Sequence, residues 1–195
     1  MSTHTYTEQL YQVTKQRPIL VYHPDKDSYW NTRHQYLSDE YCPDTEYNHR
    51  TILDNEVVIE YDEDDAQVNY ELALRASQKL CREKKPHSMW YSGNKSTHIH
   101  VLFDFHRAKS LRVLKKEVMK YYGRTKYRGD QYEPDYQLAG SNKLIRAEGG
   151  VHESTGKRKK LLMQNTKYPC LCSVPSQVWS EYRAECEKRK KMRDA

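Results

Sequence analysis

The sequence holds two short stretches whose acidic and imidazole side chains are spaced for metal-dependent phosphate chemistry. Glu60 and Asp62 end the apolar segment 57–62, and His98 and His100 lie in an alternating segment after a small-residue turn. Residues two apart on a β-strand point to the same face, so each pair would present its side chains together. Paired carboxylates are hard oxygen ligands, which favour Mg²⁺ or Mn²⁺ over Zn²⁺. A solvated strand end and a hairpin with solvent-facing histidines are the alternative interpretations.

The turn before the histidines suits an anion. It contains Gly93, Asn94, Lys95 and Ser96. Small residues let backbone N–H groups converge on a phosphate, and Lys95 adds a positive charge beside them. These residues predict a site for a triphosphate or a metal-bound phosphate.

A third stretch, 144–158, combines an arginine with a glycine turn. Arg146 follows apolar residues in a predicted strand, where an arginine commonly has an anionic partner. That partner is either a phosphate or Glu148. A basic run after the turn could reach the same phosphates or a template strand, and it consists of Lys157, Arg158, Lys159 and Lys160.

The composition is that of a foldable domain with a net positive charge. Of the 195 residues, 36% are hydrophobic and 31% charged, and the net charge of +6 permits nucleic-acid binding. No apolar run is long enough to cross a membrane and no leader-like segment opens the chain. We therefore expect a protein that is cytoplasmic, or located at a nucleoid or host-cell replication site, and that is not secreted. The five irregularly spaced cysteines predict free thiols, and Cys170 and Cys172 have no second pair that would complete a convincing zinc site.

The periodicity of the chain predicts alternating strands and helices that could position these stretches. Three of the predicted helices are 5–16, 64–84 and 176–190. Another helix is predicted to follow residue 105 and to end at Gly123, with an apolar face formed by Leu111, Leu114, Val118 and Tyr122. The predicted strands are 19–22, 57–62, 98–103, 143–147, and 159–164 as the hairpin partner of 143–147. This order predicts an α+β fold: an RRM-like palm, with an antiparallel or mixed sheet packed against helices, plus an N-terminal α/β subregion. The expected divisions are 1–55 for that subregion, 56–173 for the core and 174–195 for a C-terminal helix and basic tail.

Taken in order, the three stretches resemble the catalytic core of the archaeo-eukaryotic primase (AEP) superfamily, the primase-polymerases of replication and repair. Glu60-Tyr61-Asp62 resembles its acid-x-acid motif, with Glu in place of the commoner leading Asp, and Ser96-Thr97-His98 resembles its Ser-x-His motif. Asp135, which precedes Arg146, is our choice for its third acid. The resemblance covers roughly residues 55–165, so the core 56–173 would be the catalytic part.

The resemblance implies a DNA-templated nucleotidyltransferase, a primase or DNA polymerase, that works by a two-metal mechanism with Mg²⁺ or Mn²⁺. The implied metal ligands are Glu60, Asp62 and Asp135, with Asp130 and Glu133 as alternatives for the third acid. The implied catalytic residues are the three acids and His98. The implied nucleotide ligands are Lys95, Ser96, His98, Arg146 and Lys157. The implied partners are a single-stranded DNA template, NTP or dNTP substrates and a helicase or other replication protein, with Arg158, Lys159 and Lys160 expected at the template.

Two other functions fit parts of the sequence. His98-Ile99-His100 also resembles the His-hydrophobe-His metal motif of rolling-circle replication initiators and relaxases, which implies that Tyr122 would attack DNA and leave a covalent phosphotyrosine. That interpretation makes His98, His100 and Glu60 the metal ligands, although Tyr122 also fits the apolar stripe of its helix. The second alternative is a non-catalytic RRM-like nucleic-acid-binding domain. The carboxylates disfavour it, because they repel phosphate unless a cation lies between.

Overall fold

The acidic and histidine stretches lie side by side on neighbouring strands of one sheet. The structure is a computed structural model that describes residues 3–21, 34–36, 48–140, 143–166 and 169–194. The helices in these ranges are α1 (Thr3–Thr14), α2 (Ala66–Arg82), α3 (Leu111–Gly123) and α4 (Ser176–Asp194), with a 3₁₀ turn at Tyr136–Ala139. The strands are β1 (Ile19–Val21), β2 (His34–Tyr36), β3 (His49–Thr51), β4 (Glu56–Tyr61), β5 (His87–Tyr91), β6 (Thr97–Leu102), β7 (Thr125–Tyr127), β8 (Asp130–Tyr132), β9 (Leu144–Arg146) and β10 (Lys160–Gln164).

The central sheet has the strand order β10-β5-β6-β4, and every neighbouring pair is antiparallel. Glu60 of β4 lies opposite His98 of β6, and Val58 lies opposite His100. Because side chains alternate along a strand, Glu60, His98 and His100 share one face of the sheet. This register confirms the sequence prediction that the two histidine side chains project to the same side of the sheet, and it places the Glu60 side chain on that side as well.

The other face of the central sheet is apolar and packs against α2 and α3. Its fully buried residues include Val57, Ile59, Ile99 and Val101. The helix α2 begins where predicted, because the Asp65 carboxylate caps it by accepting a hydrogen bond from the Gln67 N–H at 2.8 Å. The helix α3 ends at Gly123, as predicted, but close packing explains the glycine. A Cβ there would lie 2.8 Å from Pro134 Cγ and 3.0 Å from Ile59 Cγ2.

A second antiparallel sheet, with the order β2-β1-β3-β9, lies on the polar face of the central sheet. Arg50 of β3 bridges the two sheets, because its guanidinium donates two hydrogen bonds of 2.8 Å to Glu56 of β4. The helix α1 covers part of the same face, where Leu10 packs in a small cluster with Leu53, Trp90 and Leu102. The polar face therefore lies between two layers of structure.

Two expectations about strand pairing need correction. The strand β10 pairs with β5 and β9 pairs with β3, so 159–164 is not the hairpin partner of 143–147. An RRM-like order would place the last strand beside β4, whereas β10 lies at the opposite edge of the central sheet. The preceding part does follow that order, because β4 and β5 both pair antiparallel with β6.

The observed architecture is thus α+β, with antiparallel sheets and four helices in the described ranges. Of the expected N-terminal subregion 1–55, residues 1–2, 22–33 and 37–47 lie outside those ranges. The pairing of β3 with β9 joins this subregion to the core in one sheet. None of the described helices is long and apolar enough to cross a membrane.

Candidate active site between the two sheets

A cavity of about 340 Å³ opens between the two sheets, at the place where the three sequence stretches meet. The residues predicted from the sequence that line it are Glu60, Asp62, Lys95, Ser96, His98 and Arg146. Asn94 of the predicted anion-binding turn also lines it. The lining further includes polar residues to which the sequence analysis assigned no role, namely His49, Ser92 and His152. His49 lies in a segment without periodicity, and no sequence signal marks it.

Glu60 and His98 form the floor of this cavity. Glu60 Oε1 lies 3.3 Å from His98 Nε2. Burial would raise the pKa of the Glu60 carboxyl, but the attraction and hydrogen bonding of His98 outweigh it and lower that pKa to about 2. The other ring nitrogen of His98, Nδ1, is buried and has no hydrogen-bond partner among the described residues. Since buried polar atoms are nearly always paired, this nitrogen marks a place where a bound group would complete the hydrogen bonding.

Asp62 and Lys95 form the outer rim of the cavity. Ser96 Oγ donates a hydrogen bond of 2.6 Å to Asp62 Oδ1, which orients this carboxylate. Lys95 Nζ lies 3.2 Å from Asp64 Oδ1 and 3.9 Å from Asp62 Oδ1. Solvent-exposed ion pairs of this kind are weak, so Lys95 can exchange them for an anionic ligand.

Asn69 of α2 ties the Lys95 turn to the end of the acidic strand, and the sequence analysis missed it. Its side chain is fully buried. Asn69 Oδ1 accepts a hydrogen bond from the Glu63 N–H at 2.8 Å, and Nδ2 donates to the carbonyls of Glu63 and Lys95 at 2.9 and 3.1 Å. No local pattern could identify this residue, because its partners lie in two other segments of the chain.

Arg146 reaches the cavity from the second sheet. Its Nη1 donates to the Val151 carbonyl at 2.8 Å, and its Nη2 donates to Glu153 Oε2 at 3.0 Å. The carboxylate partner is therefore Glu153 rather than Glu148, the alternative inferred from the sequence. A guanidinium has more N–H donors than these two bonds use, so Arg146 can still bind an anion in the cavity.

A buried network of charged and polar side chains lies beneath the cavity, and it consists of Arg50, Glu56, His100, Glu148 and Lys159. Arg50 donates hydrogen bonds of 2.7 to 2.9 Å to both Glu56 and Glu148. Lys159 Nζ donates to Glu148 Oε1 at 3.1 Å and to the Arg146 carbonyl at 2.8 Å. The expectation that Lys159 contacts a template is corrected here, because a side chain enclosed in this network cannot reach DNA.

The comparisons with known proteins bear on the fold. No protein-family model and no curated protein matches the chain. Among solved structures, the AEP domain of the primase-polymerase of cyanophage S-2L is similar, with a TM-score of 0.51 and 14% sequence identity. The match covers 90% of this chain and 94% of that one.

The fold is AEP-like. The likeness extends over nearly the whole of both chains. At this identity the comparison shows the fold alone, and the roles of individual residues rest on the geometry of this chain.

In this AEP-like fold, Asp135 lies beside the acidic strand but does not line the cavity. Its backbone N–H donates to the Glu60 carbonyl at 3.0 Å, and its carboxylate accepts from the Gln137 N–H at 2.9 Å. The other candidates for the third acid lie farther out: Glu133 pairs with Arg124 at 2.6 Å and Asp130 is exposed. Within the described residues, no three His, Cys, Asp or Glu side chains are gathered as a metal site.

The basic run after the glycine turn is exposed except at one position. Lys157, Arg158 and Lys160 are exposed, whereas Lys159 is buried. Arg158 Nη1 donates to the Gly149 carbonyl at 2.8 Å. Lys157 is not among the lining residues of the cavity in the described part of the chain. Its role in nucleotide binding, and the roles of Arg158 and Lys160 at a template, stay predictions.

The geometry argues against the rolling-circle alternative. His100 Nδ1 lies 2.6 Å from Glu56 Oε1 and Nε2 lies 3.1 Å from Lys159 Nζ, so both ring nitrogens have partners within the buried network. Tyr122 is 1% exposed on the helical side of the central sheet, and its hydroxyl donates to Glu83 Oε2 at 2.7 Å. The nucleophile of that mechanism would therefore lie in the core, across the sheet from His98.

Proposed function

We propose that the protein is a DNA-templated nucleotidyltransferase, a primase or a DNA polymerase, that binds a nucleoside triphosphate between its two sheets. The observation that carries this proposal is the convergence of two carboxylates, Glu60 and Asp62, with Lys95, His98 and Arg146 on one cavity in an AEP-like fold. Carboxylates and phosphate-binding cations side by side are the arrangement that phosphoryl chemistry requires.

The donor set fits a divalent cation. Glu60 and Asp62 supply hard carboxylate oxygens, and the low pKa of Glu60, about 2, keeps that group ionised at neutral pH. Mg²⁺ is usually bound by one or two carboxylates together with substrate phosphates, so a protein site with only two acids suits it. Held by these residues, Mg²⁺ or Mn²⁺ would supply charge neutralisation at the phosphates. Asp135 is the proposed third ligand: its backbone N–H bonds the Glu60 carbonyl, and its carboxylate would leave the Gln137 N–H to reach the metal.

The remaining side chains would position the triphosphate. Arg146 and Lys95 approach the cavity from opposite layers, so both could pair with phosphate oxygens at once. His98 lines the same cavity beside Glu60 and could contact the same group. The reaction would be attack by a primer or nucleotide 3′-hydroxyl on the α-phosphate, which breaks the bond between the α- and β-phosphates and releases pyrophosphate. Most of the rate enhancement would come from positioning and from charge stabilisation.

The template and cellular context follow from this activity. Single-stranded DNA would pass the exposed Lys157, Arg158 and Lys160, and NTP or dNTP would be the substrate. A helicase or other replication protein is a candidate partner, in the cytoplasm or at a nucleoid or host-cell replication site.

The test is nucleotide incorporation on a single-stranded template with Mg²⁺ or Mn²⁺, using labelled ribo- and deoxynucleotides with and without a primer. Glu60→Gln/Asp62→Asn should lower incorporation by on the order of 10²–10³, whereas Glu63→Gln, at an exposed acid outside the cavity, should leave it unchanged. Incorporation that survives the double substitution would refute the assignment. DNA covalently trapped on the denatured protein would instead support a nicking enzyme.

A further inference from the structure

A second cavity, of about 460 Å³, lies on the helical side of the central sheet, away from the candidate active site. It is bordered by α4 and by the segment that leads into α3, and we call it the outer groove. Its lining residues used below are Arg107, Lys109, Trp179, Tyr182, Arg183 and Glu187. Its volume falls in the range of about 300–1,000 Å³ typical of ligand sites.

The floor of the outer groove is aromatic and rigid. The Tyr182 hydroxyl accepts hydrogen bonds from the backbone N–H groups of Lys109 and Ser110, at 2.9 and 3.1 Å, which fix the ring against the start of α3. Trp179 packs edge-on against Tyr182, with the ring centroids 5.6 Å apart. Trp179 is only half-buried, so part of its indole ring remains open to a ligand.

The charges around this floor are mostly positive. Arg107, Lys109 and Arg183 line the groove together with a single acid, Glu187. In the part of the chain that the structure describes, no carboxylate lies within 4.0 Å of the charged nitrogens of the three basic residues. These cations are therefore available to an anionic ligand.

We propose that the outer groove binds single-stranded nucleic acid, with a base stacked on Trp179 and phosphates paired with Arg107, Lys109 and Arg183. Aromatic rings interleaved with basic side chains are the general means of holding a single strand without reading its sequence. An acidic protein segment would use the charges but has no need of the half-open indole ring. Double-stranded DNA keeps its bases stacked inside the helix and could not use that ring.

Further basic residues lie along α4, beyond those that line the outer groove. Lys190 lies seven residues, or about two helical turns, beyond Arg183 and therefore on the same side of the helix. It belongs to the second basic run, 188–191, to which the proposed catalytic function assigns no role. A strand that leaves the groove along α4 would meet these residues, and its occupancy would not block the cavity between the sheets. The outer groove would thus hold nucleic acid independently of catalysis.

The test uses fluorescence anisotropy of a short labelled oligothymidylate and of an abasic strand of the same length, both with the full chain carrying Glu60→Gln/Asp62→Asn. Trp179→Leu should weaken oligothymidylate binding at least about fivefold. The variant should then bind oligothymidylate no more tightly than the abasic strand. Arg183→Glu should lower the logarithmic salt slope by about 0.7 or more. Lys126→Glu, the same charge change at an exposed lysine of β7, is the matched control and should alter neither quantity comparably.

Thermal unfolding of each variant distinguishes a loss of binding from a loss of folding. Because Arg183 is exposed, Arg183→Glu should fold normally and still tests the proposal if Trp179→Leu does not fold. Equal binding of the abasic strand and oligothymidylate by the parent protein would overturn the proposal, because stacking would then contribute nothing. Equal effects of Arg183→Glu and Lys126→Glu would also overturn it. Displacement of the oligonucleotide by polyglutamate at equal charge concentration would assign the groove to an acidic protein partner instead.

Discussion

Replacing Lys159 with methionine should destabilise the protein far more than the same change at its exposed neighbour Lys160. Lys159 is fully buried, and its ammonium group donates to Glu148, to the Arg146 carbonyl and to His100 within 3.1 Å. Methionine fills a similar volume, so the substitution removes the charge and its hydrogen bonds while most of the packing remains.

The expected magnitude follows from the charge balance of the buried network. Two cations, Arg50 and Lys159, face two anions, Glu56 and Glu148, and all four side chains have no exposed surface. Loss of Lys159 leaves one negative charge uncompensated in the interior, which costs about 3–5 kcal/mol. That is a large part of the roughly 5–15 kcal/mol by which a typical domain is stable.

The assay is a double-mutant cycle by urea unfolding near neutral pH, where Lys159 is charged although burial lowers its pKa to about 8. Lys159→Met/Glu148→Gln leaves Arg50 paired with Glu56, so the double substitution should cost about 1–3 kcal/mol less than the sum of the single ones. Lys160→Met should change the free energy of unfolding by less than about 0.5 kcal/mol. Additive single effects, or equal effects of Lys159→Met and Lys160→Met, would refute the reasoning.

Three further predictions concern single side chains. Burial lowers the pKa of His100 from 6.5 to about 4, so the unfolded state binds more protons between these values. The free energy of unfolding should therefore fall, by up to about 3 kcal/mol, as the pH drops from 6.5 to 4, and His100→Gln should flatten this slope in acid titrations followed by circular dichroism. Tyr122→Phe should keep nucleotide incorporation and cost about 1 kcal/mol of stability, because only the bond to Glu83 is lost. Asn69→Ala should raise the KM for the nucleotide about 10- to 100-fold in steady-state kinetics, since the Lys95 turn loses its anchor.

Each of these has a contradicting outcome. An unchanged acid slope in His100→Gln would mean that the ring is not held neutral by its surroundings. If Tyr122→Phe folds normally but loses nucleotide incorporation, Tyr122 takes part in the reaction. A KM unaffected by Asn69→Ala would show that the Lys95 turn keeps its position without Asn69.

Local periodicity was sufficient to predict the residues that meet at the floor of the cavity. Glu60 lies near the end of β4 and Asp62 directly after it, and both line the cavity. The proximity of Glu60 to His98 follows once β4 and β6 pair. Apolar stripes likewise predicted α2 and α3. The functional roles inferred for these residues remain predictions, since the comparisons show the fold alone.

Partners that are distant in the chain could not be predicted in the same way. The two strands β9 and β10 flank a turn-rich segment and look locally like a hairpin, but each pairs with a strand from another part of the chain. Similarly, four consecutive basic residues look alike in sequence, whereas the extended backbone places Lys159 inside and Lys160 outside. Arg50 gave no signal, because its carboxylate partners include Glu148, which is distant in sequence.

The connections between the two sheets have a consequence for how a substrate enters. Only residues 52–55 join β3 to β4, and the return path from β9 to β10 passes through Glu148 and Lys159. A hinge motion that separates the sheets would break the buried ion pairs near the β3–β4 and β9–β10 connections, which is costly in a low-dielectric interior. Moving the two layers apart is therefore unfavourable. If the protein binds a nucleotide as proposed, the nucleotide would enter along the solvent-facing rim at Asp62 and Lys95 without separation of the sheets.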